Sequence, residues 1–337
     1  MTKRWDNFFL ILAIVTLLLF KQVSIQAAEQ KEFSPFFVNN VLPVSIGLGL
    51  PKALSANSLK QGQKQLVFNL GVKSNANDSG SAIGEMLRLD GETYSLDVGL
   101  AYGLTQRWQL DAQVSYLRHT AGSLDSLIDG WHDFFGLDDG DRPLFERDQF
   151  EYSYTNGDTS EVVTEDDGIS DFRLGIGYAI KQSEPLNFLI RAGISLPTGD
   201  ADNLTGSDDV DADIGLYFNG RGQQGRWKNV AWHANLGYLL IGDEQALGIP
   251  TESSAWFSSL GAYWTVFPSI VLKSQLDSHG AFFDSDIDEL TRAANEITIG
   301  MSYLTKQGGQ FEIYFSEDVS VNRAADFSFG ISKKIKF

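Results

Sequence analysis

The 337-residue chain has no cysteine, only eight prolines and, beyond residue 20, no apolar run that approaches the length of a membrane helix. Without cysteine there is neither a disulfide framework nor a thiolate metal site. Without a stretch of about 20 apolar residues, the chain beyond its first segment cannot cross a bilayer as helices. Bases are scarce too, 26 Lys and Arg against 44 Asp and Glu. Such a surface repels a phosphate backbone, so nucleic acid is excluded as a partner. Aromatic surface, by contrast, is abundant: seven Trp, 11 Tyr and 23 Phe, far more than a disordered chain carries.

The first residues set the compartment. Lys3 and Arg4 precede a run from Phe8 to Phe20 that is apolar but for Thr16, followed by a polar stretch ending in small residues. This is the pattern of a secretory signal peptide over residues 1–27, with Ile25 and Ala27 placed for cleavage after Ala27.

The rest of the chain alternates. Tyr94, Leu96, Val98, Leu100 and Tyr102 are interleaved with Ser95, Asp97, Gly99 and Ala101, and after a tight turn Trp108, Leu110, Ala112, Val114 and Tyr116 resume the pattern. Alternation over about ten residues, repeated along the chain, is the mark of transmembrane β-strands. The spans predicted are 64–73, 92–104, 108–118, 169–180, 186–196, 210–219, 229–241, 254–264, 269–277, 295–305, 310–317 and 326–337. A soluble sandwich alternates as well, but three features favour a barrel. Aromatics such as Trp108, Tyr178, Tyr238, Trp264 and Tyr303 stand at strand ends, short turns alternate with long acidic loops, and the last strand closes on Phe337. The fold class is therefore all-β: a transmembrane antiparallel up-and-down barrel of about 12 strands in a bacterial outer membrane, short turns periplasmic. Fourteen strands remain open if the segments around Val41–Leu50 or Gln149–Thr164 enter the wall. Its surroundings would be outer-membrane lipid and lipopolysaccharide, and the strand ending at Phe337 would be read by the outer-membrane assembly machinery.

The negative charge is concentrated in loops, and segment 119–168 alone holds 14 acids against two bases. Single-sign loops usually just solvate a surface. The sharper reading is a divalent cation bridging loops to lipopolysaccharide, with Asp284, Asp286, Asp288 and Glu289 as its best candidate ligands. These do not form an EF-hand, because Glu289 stands where the turn glycine belongs. Within 119–168, Leu124, Leu127, Ile128, Trp131, Phe134 and Phe135 recur at helical spacing, with Ser123 able to cap the start and Gly136 the end. This short amphipathic helix reads as a lid over the barrel mouth, as a helix against the outer lipid interface, or as simple packing on its own loop.

The run Leu124-Asp125-Ser126-Leu127-Ile128-Asp129-Gly130-Trp131-His132-Asp133-Phe134-Phe135-Gly136-Leu137, followed by Gly140-Asp141-Arg142-Pro143, resembles a Gram-negative outer-membrane family known as domain of unknown function 3187. Asn40 to Pro51 and Leu276-Asp277-Ser278-His279 agree with it, so the resemblance covers nearly the whole processed chain. It implies a barrel and a location, and carries over no catalytic residues. Leu196-Pro197-Thr198-Gly199-Asp200, continuing to Ser207, also looks like a loop of barrels linked to phenol-degradation pathways.

If the apolar residues of each strand face lipid, the lumen is lined by Asp97, Asp111, Asp171, Arg173, Arg191, Asp211, Asp213, His233, Lys273, Asp277, Glu296, Glu312 and Lys334. Twelve strands leave a narrow passage, which mixed charges either brace shut or make selective. Within an N-terminal segment 28–63, the stretch from Phe33 to Gly62 is apolar, is broken by Pro35, Pro43 and Pro51, and offers Phe36, Phe37, Val41, Leu42 and Leu48 as greasy contacts. It reads equally as a plug inside the lumen and as a lead beneath the barrel. No G-x-S-x-G elbow or H-E-x-x-H helix is present, so neither a catalytic motif nor a cofactor is expected. The expected function is a passive conduit for a small solute, hydrophobic if the apolar segment is a plug. An outer-membrane lipid hydrolase and a purely structural surface protein are the alternatives.

Overall fold

The computed structural model describes residues 33–39, 41–136, 140–243, 245–305, 308–320 and 322–337; the signal-peptide reading lies outside these residues. Twelve long strands form the wall: β1 (Lys64–Gly80), β2 (Glu85–Gly103), β3 (Trp108–Thr120), β4 (Phe172–Ser183), β5 (Leu186–Leu196), β6 (Asp211–Arg221), β7 (Val230–Leu240), β8 (Ser254–Phe267), β9 (Ile270–His279), β10 (Ala294–Leu304), β11 (Gln310–Asp318) and β12 (Phe327–Lys336). Each pairs antiparallel with its chain neighbours, and β12 returns to β1 from Gln65↔Lys336 to Ser74↔Phe327, so the barrel closes. Closure leaves no unpaired edge, the condition for a sheet to cross a membrane.

Alternation decides which way each strand faces. Ile214, Leu216, Leu236, Tyr238, Leu260, Trp264, Met301 and Tyr303 are exposed on the outer wall, while Asp213, His233, Asn235, Ser259 and Ser302 are buried within. The strand at 254–264 is settled the same way, with Trp256, Leu260 and Trp264 outward and Phe257 and Tyr263 buried in the lumen. Trp108, Trp232, Trp264, Phe267 and Tyr303 form an exposed aromatic ring at the short-turn end, the place of an interfacial girdle.

β1 and β2 run past the predicted spans, to Gly80 and from Glu85. The added part inverts the pattern. Along β2, Leu96 to Tyr102 point their apolar side chains outward, but from Glu92 back to Arg88 the outward residues are charged and Leu87 and Leu89 point in. An apolar outer face needs lipid and an apolar inner face needs a core, so the inversion between Tyr94 and Glu92 marks where the strand leaves the membrane. Beyond it, β2 pairs with a hairpin, Glu151–Asn156 and Thr159–Val163, in place of β3. The segment Gln149–Thr164 thus extends the wall above the membrane and adds no transmembrane strand.

Inside that collar lies the largest apolar core. Leu87, Leu89, Tyr152, Tyr154 and Val163 of the collar meet Leu204, Leu239, Ile241, Ile249, Phe282, Phe283, Ile287 and Leu290 from the other long loops, together with Val41, Leu42, Val44 and Leu48 of the N-terminal segment. The long-loop mouth is therefore closed by apolar packing.

Candidate functional site: the filled lumen

The N-terminal segment runs inside the barrel. Phe33 stacks on Tyr263 near the short-turn end with ring centroids 6.0 Å apart, beneath the guanidinium of Arg221. The chain then climbs. The Phe36 amide donates to Gln275 Oε1 at 2.9 Å, its ring lies 5.3 Å from that of Tyr314 and 3.9 Å from Lys273 Nζ, and Val41 to Leu48 reach the loop-end core. It turns at Pro43–Ser45 and descends. Gly49 N donates to Asp211 at 2.7 Å, Lys52 pairs with Asp97 at 2.7 Å, and Asn235 donates to Leu54 O at 3.1 Å. Ala56 N donates to Asn219 at 2.5 Å and Gln182 donates to Ala56 O at 2.7 Å. The descent ends where Lys64 exchanges backbone hydrogen bonds with Phe337, and β1 begins.

Extended chain that joins no sheet must satisfy its peptide groups elsewhere, and here wall side chains do so. This gives the polar lumen a structural purpose: its amides, carboxylates and cations complement a backbone. All thirteen residues expected in the lumen point inward; twelve are buried and Asp277 is half-buried. They fall into clusters. Arg191 pairs with Asp111 and reaches Asp213 at 3.5 Å, and Arg173 pairs with the same Asp213 while donating to Gly49 O. A Cβ on Gly193 would overlap the Asp213 carboxylate, so the strand has glycine where the ion cluster comes against it. Glu312 accepts from Lys273, from Lys334 at 2.9 Å and from Ser332 at 2.7 Å, and Lys334 also donates to Pro35 O at 2.5 Å. Asp97 takes Asn69 at 2.8 Å and Ser115 at 2.5 Å besides Lys52. Asp277 and Glu296 sit opposite each other in register, with Gln275 donating to Asp277 at 2.8 Å. Asp171 lies at the long-loop end, accepting from the amides of Thr198, Gly199 and Ser207 at 2.7 to 3.0 Å.

Residues beyond those thirteen share the work: Lys52, Asn69, Gln182, Asn219 and Tyr314. Parity alone put Asn69 on the inner face, whereas Lys52 carried no signal because its contact is made by an irregular segment. The spaces left between segment and wall include cavities of about 100, 30 and 70 Å³. Each has room for a few waters at most.

His233 Nε2 lies 2.9 Å from Ser259 Oγ, with the Tyr263 hydroxyl on its other ring nitrogen. This pair is sealed in the lumen, out of reach of lipid. His119 is held by Thr93 at 2.8 Å and Leu204 O at 3.2 Å, and His279 by Gly280 O at 2.7 Å. Among the described residues no three His, Asp or Glu side chains converge as metal ligands. Of the acidic-loop candidates, Asp288 pairs with Arg292 at 2.5 Å, the Asp284 amide donates to Pro250 O and the Asp286 amide to Glu85. Asp288 and Glu289 open a single-turn helix, Asp288–Thr291.

The amphipathic helix α1 (Asp125–Phe135) does form and ends on Gly136 in the left-handed conformation. Its place is the outside of the barrel, which corrects the reading as a lid. Trp131 packs on Phe315 and Phe327, at 5.1 and 6.0 Å between ring centroids, and donates to Glu317 at 3.1 Å. These are outward residues of β11 and β12, since Phe315 stands opposite lipid-facing Ile299 in register. Ser123 does not cap the helix. Glu92, outward on β2, accepts from the Ser123 and Leu124 amides at 2.8 and 2.5 Å instead, a carboxylate at a helix N-terminus supplied from the wall. Arg142, farther along the chain, ties the first half of the helix to the wall, bonding Asp125 at 2.6 Å, Asp129 at 3.4 Å and Ser74 of β1 at 3.3 Å. Burial pushes the carboxyl of Asp326, 3.8 Å from Arg142, up to about 8, so the charge of Arg142 is answered chiefly by Asp125 and Asp129. Leu124 and Ile128 turn inward, Leu127 and Phe134 are exposed, and the side chain of Phe135 lies outside the described set. The described residues 121–136 and 140–150 thus form a belt across β11, β12, β1 and β2, just above the polarity inversion.

A family model described as protein of unknown function (DUF3187) matches residues 10–337. No curated protein matches the chain. Among solved structures, the COG4313 outer membrane channel from Pseudomonas putida F1 is similar at 14% identity and TM-score 0.55, over 84% of this chain and 98% of that one. The toluene transporters TodX of Pseudomonas putida and TbuX of Ralstonia pickettii align at 10% and 11% identity with TM-scores of 0.37 and 0.36. They cover 89% and 88% of this chain and 98% and 97% of their own. The first likeness is one of fold, and with the closed barrel it makes the molecule an outer-membrane β-barrel.

Proposed function

The chain belongs to the DUF3187 family of proteins of unknown function, and we propose that it is a gated, passive outer-membrane conduit for small hydrophobic solutes. One observation carries the reading: apolar residues recur along the segment through an otherwise polar lumen. Val41 and Leu42 join the loop-end core with Phe257, Phe282 and Phe283, Phe36 and Val38 pack with Tyr314 lower down, and Phe33 lies on Tyr263 near the short-turn end. A polar lumen filled only to brace the wall has no need of aromatics along its filling. Phe37 is accommodated because Gly99 of β2 leaves its ring room.

The segment occupies the lumen, so in this reading passage requires it to shift. Besides the packing of Val41 to Leu48 in the loop-end core, its attachments among the described residues are hydrogen bonds and the largely buried ion pair of Lys52 with Asp97, each polar contact worth about 0.5–3 kcal/mol net. Bonds of that size break one after another, and a solute that solvates Phe36 and Phe37 would compensate part of the loss. The similarity to a protein described as an outer membrane channel supports the same class of function.

Because the chain lacks cysteine, the segment can be locked cleanly. In Gly49→Cys with Ser195→Cys the two Cβ atoms would start 2.9 Å apart, within a small shift of the spacing a disulfide spans. Entry of the uncharged dye N-phenyl-1-naphthylamine into proteoliposomes should fall to background on oxidation and return on reduction. Equal entry in both states sinks the gate, and no entry in either state, with a correctly folded barrel, sinks the conduit.

A further inference from the structure

The two ends of the barrel carry opposite charge. Against the acidic long loops, the short-turn end exposes Lys60, Lys64, Arg107, Lys181, Arg226 and Lys228, with Glu184 as its exposed acid among the described residues. Three of these bases meet aromatic side chains. Lys64 Nζ lies 5.9 Å from the ring centroid of Phe337, the Arg226 guanidinium lies 5.4 Å from that of Trp227, and Arg107 donates to the Tyr178 hydroxyl at 3.0 Å. A further cation stands on the lipid-facing wall itself. Along β12, Phe329 and Ile331 are exposed on the outer face while Ser332 and Lys334 turn in to Glu312, so Lys333 faces outward. It stands in register between Phe68 of β1 and Phe311 of β11, with its Nζ 4.8 Å from the Phe311 ring centroid. The stem is covered, leaving 9% of the residue exposed, yet the ammonium is not sealed and has neither a hydrogen bond nor an ion pair among the described residues. A lysine on the lipid face is costly at the bilayer midplane and tolerated near the interface. Phe311 is the second residue of β11, so a long stem bent toward it carries the ammonium to headgroup level. The ring attracts that cation without neutralising it, and the counter-ion must come from outside the chain.

We propose that the outer face of the β11–β12–β1 seam, at its short-turn end, binds an anionic glycerophospholipid of the periplasmic leaflet, with the lipid phosphate accepting from the Lys333 ammonium. Position selects the source. Short turns are periplasmic in barrels of this class, and the leaflet on that side is built of phospholipid, whereas lipopolysaccharide belongs to the leaflet at the long-loop end. Charge selects the headgroup. Lys64 stands on the same face at the strand end, where its backbone pairs with Phe337, and Lys60 is exposed beside it in sequence. Basic residues gathered at a bilayer surface attract anionic lipid, and they repel a headgroup that carries its own ammonium. Phe311, Ile331 and Phe337 are 37%, 44% and 47% exposed, apolar surface suited to the glycerol and upper acyl region of the same lipid. The inference is independent of the conduit: it concerns the outer wall, and a barrel that conducts nothing could still hold such a lipid.

The test is native mass spectrometry of the refolded protein in non-ionic detergent, titrated with dioleoyl phosphatidylglycerol, with dioleoyl phosphatidylethanolamine and with inorganic phosphate. The expected result is saturable retention of the first phosphatidylglycerol, about tenfold or more tighter than that of phosphatidylethanolamine. Lys333→Gln should weaken it by about tenfold, the scale of one charged hydrogen bond, and Lys64→Gln by less. Lys333→Arg keeps the charge and should keep the binding, with the heat-modified gel shift of each variant reporting a folded barrel. The selectivity of the unaltered protein needs no variant, so the proposal stays testable should Lys333→Gln fail to fold. Equal retention of the two lipids, unchanged affinity in folded Lys333→Gln, or saturable binding of inorganic phosphate that the lipid does not displace would overturn the site.

Discussion

Two stretches of chain cover polar strand faces in this barrel, one inside and one outside, and they are fastened in different ways. Inside, the described residues between 33 and 63 run up and back as irregular chain that joins no sheet, held at many separate points by side chains of most wall strands. Outside, the described residues 121–136 and 140–150 form a helix and turn fixed chiefly through a few hubs: Glu92 on the helix start, Trp131 on Phe315 and Phe327, Arg142 on Asp125, Asp129 and Ser74, and Asp141 on the Asp78 amide and Asn322. A covering held by many weak and independent contacts can peel away stepwise, whereas one held by a few hubs is either docked or not. The interior stretch therefore suits a gate and the exterior one a clamp.

The largest effect should come from the interior ion cluster. Asp213→Ala leaves Arg173 without its carboxylate and weakens the hold on Arg191, a loss of about 3–5 kcal/mol typical of a broken buried pair. A marked fall in the temperature of the heat-modified gel shift would show it, while belt proteolysis stays unchanged. Lys52→Ala is milder, about 1–3 kcal/mol, because Asn69 and Ser115 still serve Asp97. It should raise the frequency of channel openings about tenfold or more without altering the melting of the barrel. On the other side, Arg142→Ala should expose 121–150 to limited proteolysis and leave conductance as it was. Glu92→Gln is the smallest change, about 0.5–2 kcal/mol for a weakened cap, read as faster cleavage near Leu124 only. A belt variant that opens the lumen would break the comparison, and so would a lumen variant that frees the belt.

The strands were legible because lipid on one side and a filled, polar lumen on the other impose strict alternation. The span at 186–196 agrees with β5 end to end, the starts at 64, 108, 254 and 310 agree as well, and the remaining strand ends in the membrane shift by one to three residues. Where that contrast ends, legibility ends too. Ser74-Asn75-Ala76-Asn77-Asp78-Ser79-Gly80 carries no apolar face, so the outer half of β1 could not be read, although it pairs with β2 throughout. Helix α1 announced itself by spacing, but the side on which it docks did not: Phe315 and Phe327 look like any other lipid-facing aromatics until the fold puts Trp131 against them. Its cap was misassigned to Ser123 because the actual cap, Glu92, is 31 residues away in sequence. In the lumen, parity showed which residues face in and could not show what they face. The Arg173, Arg191, Asp111 and Asp213 cluster spans four strands, and its partner Gly49 belongs to a segment with no period at all.

The central claim, that residues 33–63 close a lumen which is otherwise a passage, is tested most directly by single-channel recording in planar bilayers. The refolded protein should be almost silent with brief openings, and a variant lacking residues 33–60 should conduct steadily. Steady conductance of the intact protein, or silence of both with the barrel correctly folded, would contradict it.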